Sequence, residues 1–140
     1  MLPMMKQIIV ALLLCGSTVV RGADPARASW LSVADKLVTT APESYAFNWG
    51  EGVQMSGLMQ VYNRVKDERY ADFVEKWAAF HIPKGTDALL RNTPQAKLPG
   101  YCGHWVSGTA LVYLYEARRN PEHLRVASEI AGFIRAGATR

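Results

Sequence analysis

The stretch FNWGEGVQMSGLMQVYNRVKDERY, Phe47 to Tyr70, decides how this chain folds. From about Glu51 to Val65 the apolar residues Val53, Leu58, Val61, Tyr62 and Val65 make the broad face of an amphipathic helix. Lys66, Asp67 and Glu68 read as a turn. The oddities crowd one end: Gly50, Gly52 and Gly57 lie near the helix start, beside Trp49 and Glu51. Such a start is either the mouth of a ligand site or a crowded packing point.

Working outward, almost nothing reads as strand. Before this stretch, Ala28 to Thr40 places Leu31, Ala34, Leu37 and Val38 on one helical face, and Pro42 ends it. After it, Arg69 to about Ile82 carries Tyr70, Phe73, Val74, Trp77 and Phe80, closed by Pro83 and Gly85. A loop is expected from Lys84 to Gly103, long enough to suggest a functional segment. A fourth helix, Trp105 to Arg118, carries Val106, Ala110, Leu111, Leu114 and Tyr115. Asn120 and Pro121 start a fifth, with Leu124, Ala127, Ile130, Ala131 and Ile134 on its apolar face and Gly137 as its stop.

The helices repeat in pairs. A shift of 53 residues places Tyr62 on Tyr115, Tyr70 on His123, Trp77 on Ile130 and Phe80 on Phe133. Both turns then carry charged or capping residues at the same point. The glycines slip, because Gly57 and Gly108 are 51 apart. A repeated helical hairpin buries its faces against its neighbours.

Composition sets the class. An apolar fraction of 49% with 20% charged residues is that of a folding chain. Residues 1–22 read as a signal peptide: Lys6, the apolar run Ile8 to Leu14, then small residues up to Gly22. The run is too short to span a membrane. A buried N-terminal helix is the competing reading, and lipid attachment at Cys15 is disfavoured by Leu12, Leu13 and Leu14 before it. Export predicts a secreted or periplasmic protein, with residues 23–140 as one domain and no membrane association after cleavage. Losing Lys6 and Arg21 lowers the formal charge from +4 to +2, so nucleic acid is not an expected partner. Cys102 is then the one cysteine left and has no internal disulfide partner.

The segment NWGEGVQMSGLMQVYNRVKDERYADFVEKWAAFHI resembles the first hairpin of the unsaturated glucuronyl and rhamnogalacturonyl hydrolases, of the glycoside hydrolase 88/105 type. Trp49, Gly52, Gly57 and Leu58 are similar to their helix-start pattern, and Lys66 to Tyr70 to their inter-helix turn. SGTALVYLYEARRNPEHLRVASEIAGFI resembles the next hairpin. The likeness covers about residues 28–136. It implies an all-α fold of helical hairpins, part of an (α/α)6 six-hairpin barrel that is incomplete in this chain, which supplies a leading helix and about two hairpins. It also implies hydrolysis of a terminal unsaturated uronic acid from an oligosaccharide, with an aspartate as acid and base hydrating the sugar double bond. One such aspartate belongs near GYCGHWVSG, Gly100 to Gly108, where this chain has no acid. The other lies past the segment that resembles this family. Neither transfers to a residue here.

Four side chains remain as candidates. His104 is placed to move a proton near neutrality, or simply to cap or pack a helix. Glu51 is a second catalytic candidate, or a carboxylate partner of the helix dipole. Trp49 and Trp105 each precede a glycine-bearing helix and suit stacking on a sugar, or burial in the core. Gly52, Gly57 and Gly108 suggest close helix approach. Tyr62, Tyr70, Trp77, Tyr113 and Tyr115 read as packing. Cys102, His104, His81 and His123 have no zinc spacing, no phosphate-cradling motif is present, and no cofactor is expected. Two functions compete: a glycoside hydrolase-like protein, and a non-catalytic helical module that binds a carbohydrate or a protein. Helix faces that a whole barrel would cover predict self-association.

Overall fold

A computed structural model of the chain describes residues 25–90 and 103–138. The proposed signal peptide lies outside the described residues. Helices are the regular structure of the described residues, with no strand among them: α1 Pro25–Leu37, α2 Trp49–Val65, α3 Glu68–His81, α4 Thr86–Leu90, α5 Gly103–Arg118 and α6 Pro121–Ala138. Short 3-10 turns, Pro42–Ser44 and Ile82–Lys84, precede α2 and follow α3. The expected loop therefore contains a helix, α4, whose five residues are too few to show a period. Gly137 does not stop α6, which runs on to Ala138.

The two hairpins, α2–α3 and α5–α6, share one turn geometry. Lys66 and Arg119 both take the left-handed conformation, with φ of 57° and 58°. Their amides donate to Tyr62 O at 2.7 Å and Tyr115 O at 2.8 Å, closing each first helix. Asp67 and Asn120 then cap each second helix, their Oδ1 atoms accepting from Arg69 N and Glu122 N, both at 3.1 Å. Lys66 and Arg119 also lie over the rings of Tyr62 and Tyr115. Every one of these pairs is 53 residues apart, the spacing expected from sequence.

The core lies between the hairpins. Leu58, Tyr70, Val74, Trp77, Leu111, Leu114 and Ile130 are buried in it, as are Met55, Met59 and Val126. Four residues assigned to apolar faces are instead exposed: Val53, Phe80, Leu124 and Ala131. For Val53 the reason is rotational, since the buried stripe of α2 runs through Gly52, Met55, Leu58 and Met59 and Val53 points the other way. Burying the sulfur-bearing side chains there fills space that β-branched residues could not follow.

α2 and α5 run parallel. Near their starts Gly52 meets Ser107. Near their ends Arg118, the last residue of α5, reaches Glu68, Asp72 and Glu75 on α3, just past the end of α2. Both helix starts thus share one end of the bundle, and both tight turns share the other.

Candidate functional site

The rim formed by the two helix starts is built from Asn48. Its backbone is extended, at φ −146° and ψ −179°, and its Oδ1 accepts from Trp49 N at 2.7 Å. That satisfies one of the amides that no helical carbonyl reaches. The segment leading to Asn48 is pinned to α3. His81 Nε2 donates to Tyr45 O at 2.8 Å, and Trp77 Nε1 donates to Ala46 O at 3.3 Å. Phe47 stacks on Trp77, with centroids 5.0 Å apart and planes 8° from parallel. Lys84 Nζ donates to His81 Nδ1 at 3.4 Å, which assigns the ring proton to Nε2 and leaves the imidazole neutral. Burial pushes the His81 pKa below its ordinary value, against the opposing pull of the Tyr45 carbonyl.

Gly52 sets the spacing between the two starts. A Cβ at this position would lie 2.7 Å from Ser107 N and 2.8 Å from its Oγ. Ser107 is fully buried, and its Oγ donates to Asn48 O at 3.3 Å. The α5 start is therefore fastened to the α2 cap. Of the three glycines read as close-approach points, Gly52 is one. Gly108 makes ordinary contact with Ile130, and a Cβ at Gly57 would meet nothing within 4 Å.

The backbone positions of the four sequence-derived candidates share this rim. Trp49 is the first residue of α2, and Glu51 lies in the same turn. His104 and Trp105 lie in the first turn of α5, and their side chains fall outside the described residues. Trp49 is 51% exposed, which removes the core reading for it. Glu51 is partly buried and has no hydrogen-bond or ion-pair partner among the described residues. Sequence reasoning missed the supports beneath the rim. His81, Trp77 and Ser107 read as ordinary helix residues, and their roles depend on which segment crosses them.

Most other acids are engaged elsewhere. Arg118 binds Glu68 at 2.7 Å, Glu75 at 3.2 Å and Asp72. Arg69 joins Asp67 at 2.7 Å and Asp35 at 3.0 Å, and holds the Asp67 carboxyl below the usual range. Arg125 pairs with Glu122 and Glu129. Among the described residues no three His, Cys, Asp or Glu side chains cluster as metal ligands, and no helix is long and apolar enough to cross a membrane.

No curated protein and no solved structure matches the chain. A model of one family does, described as Glycosyl Hydrolase Family 88, and it matches residues 25–140. That span takes in both hairpins, the leading helix and the rim. Helical hairpins of this kind are the units of the α/α six-hairpin barrel typical of the family. By sequence, over residues 25–140, this chain belongs to glycosyl hydrolase family 88.

Proposed function

We propose that this chain engages an oligosaccharide ending in an unsaturated uronic acid, and that it does so at the rim shared by α2 and α5. The observation that carries this reading is the fastening of the two helix starts side by side at Gly52 and Ser107 in a family 88 chain. Two helix N-termini present free amides and the positive ends of two dipoles, which suits a uronate carboxylate. Trp49, half exposed, supplies an apolar face for a sugar ring, and Trp105 is assigned the same role on α5. Glu51 and His104 are the proton-transfer candidates for hydration of the sugar double bond. Residues 1–22 act as an export signal in this reading, placing the protein outside the cytoplasm.

The second reading is binding without catalysis. It is favoured by the state of the carboxylates: Asp67, Glu68, Asp72, Glu75, Glu122 and Glu129 are all held by arginines. The chain also lacks an acid in GYCGHWVSG, where the family resemblance expects one.

The test is the loss of ultraviolet absorbance of unsaturated uronyl disaccharides on incubation with the purified chain. Catalysis predicts loss that is abolished by Glu51→Ala or His104→Ala. Binding alone predicts no loss, with quenching of tryptophan fluorescence that Trp49→Ala removes. Neither signal from a cooperatively folded sample overturns both readings.

A further inference from the structure

A second group of polar side chains lies away from the rim, between α1 and α2. α1 reaches the core through Ala34 and Leu37. Trp30, one turn earlier on the same face, lies beyond that core and stays partly exposed. With Gln60, Val61 and Arg64 of α2 it lines an open groove of about 380 Å³, a volume that suits a small ligand. Gln60 and Arg64 are one turn apart on the exposed side of α2, so their polar heads are neighbours. Neither head has a hydrogen-bond or ion-pair partner among the described residues, and the Trp30 indole N–H has none either. No carboxylate lines the groove. Arg69, Arg118 and Arg125, by contrast, each hold two or three carboxylates. The fold does not require this polarity. One repeat on, the positions of Gln60, Val61 and Arg64 hold Tyr113, Leu114 and Ala117, which belong to the core or pack against it.

We infer that this groove is a binding site for a single uronic acid ring, separate from the rim. The Arg64 guanidinium pairs with the carboxylate of the ring through two parallel N–H···O bonds. The Gln60 amide, donor and acceptor at once, meets ring hydroxyls. Trp30 offers its indole face to the C–H side of the ring, beside the apolar Val61. A neutral sugar leaves the guanidinium unused. A simple anion leaves the indole and the amide unused. The set as a whole therefore selects an acidic sugar. The choice of a sugar rests on the family to which the chain belongs, and not on the rim engaging an unsaturated one. Nothing in the set reads a ring double bond, so a saturated uronate fits it. Arg64 lies 15 residues along α2 from Trp49, about 22 Å at the helical rise. The two sites are thus too far apart to share one ring, and the groove holds a different unit of an acidic oligosaccharide from the one at the rim.

The test follows the tryptophan indole N–H signals of the purified chain by NMR as methyl glucuronoside, a saturated uronate, is added. Trp30→Phe identifies the Trp30 signal. The expected result is a saturable shift of that signal, with the affinity reduced about tenfold or more by Arg64→Gln through loss of the charge-assisted pair. Arg64 is exposed and unpaired among the described residues, so this variant keeps the parent's urea midpoint. Methyl glucoside and acetate, titrated in the same way, bind at least tenfold more weakly. No saturable shift at Trp30 overturns the inference, as does a shift that Arg64→Gln leaves undiminished. Equal affinity for methyl glucoside or for acetate overturns it too, by showing that the acid or the ring goes unread. The Trp49 signal reports the rim when an unsaturated disaccharide is titrated, so the two sites fail separately.

Discussion

Replacing Gly52 by alanine puts the α2–α5 contact under a direct test. Alanine favours a helix interior over glycine by about 1 kcal/mol. By propensity alone Gly52→Ala should stabilise. The contact opposes it, because the new Cβ would lie 2.7 Å from the backbone nitrogen of Ser107 and 2.8 Å from its Oγ. The hydroxyl could rotate away, but the nitrogen belongs to a helix and moves only if all of α5 moves. Overpacking of this kind costs about 1–3 kcal/mol, and a backbone obstacle belongs at the upper end. The net expectation is a loss of about 2 kcal/mol, or a fall in the thermal midpoint of roughly 8 °C or more for a domain near this size. Gly57→Ala is the matched control. It is in the same helix and its Cβ meets nothing within 4 Å, so it should gain up to about 1 kcal/mol. Its repeat equivalent is already an alanine, Ala110. Urea unfolding of both variants reads the difference. Equal effects of the two substitutions would refute the claim that Gly52 sets the helix spacing.

Other consequences follow from the turns and the buried histidines. Burial lowers the pKa of both His81 and His123 in the folded chain, with Glu75 and Glu122 opposing the shift at His123. The unfolded state therefore takes up protons first. Stability is fully present above the unfolded imidazole value of about 6.5 and falls as pH drops below it towards the folded values, by at most about 1.4 kcal/mol per pH unit for each ring. Urea midpoints measured between neutral and mildly acid pH check this, and His81→Gln should flatten part of the slope. Lys66→Gly and Arg119→Gly each relieve a left-handed residue, and each should stabilise by about 0.5–1 kcal/mol. Matched gains in thermal melts would support equivalence of the turns, and a gain at one site alone would count against it. Asn120→Ala removes the cap on Glu122 N and should cost about 1 kcal/mol, seen as a lower urea midpoint.

Much of the fold was legible because its signals are local. The turns at Lys66 and Arg119 are announced by charged residues followed by Asp67 and by Asn120–Pro121, and a cap needs only its own few neighbours. The spacing of Leu58, Tyr70, Trp77 and Leu111 likewise sets which side of each helix is buried. What stayed hidden depends on where a second segment lies. Nothing in the sequence ranks Gly52 above Gly57 as a contact glycine, since the ranking is decided by the path of α5. His81 and Trp77 are indistinguishable from core residues until the Tyr45–Phe47 segment is seen to cross them. The four rim candidates were chosen from their place at two helix starts, and the Gly52–Ser107 contact that sets those starts side by side is not visible in the sequence.

The two ends of the bundle differ in how faithfully the repeat is kept. At the turn end, residue after residue repeats in conformation: the left-handed residue, the tyrosine carbonyl it donates to, and the side-chain cap. At the rim end the repeat dissolves. Asn48-Trp49-Gly50-Glu51-Gly52 stands where the second hairpin has Tyr101-Cys102-Gly103-His104-Trp105, and only one glycine is common. Both ends face the same demand, to finish a helix and satisfy its free backbone groups. If folding alone governed the rim, one solution would serve both hairpins there, as it does at the turns. Folding needs the small residue at Gly52 and the Ser107 contact, and neither dictates an exposed tryptophan or, in the same turn, an acid without a partner among the described residues. The divergence places the chain's individuality at the rim, so variants at Trp49, Glu51, His104 and Trp105 should separate ligand recognition from folding more cleanly than variants at the turns.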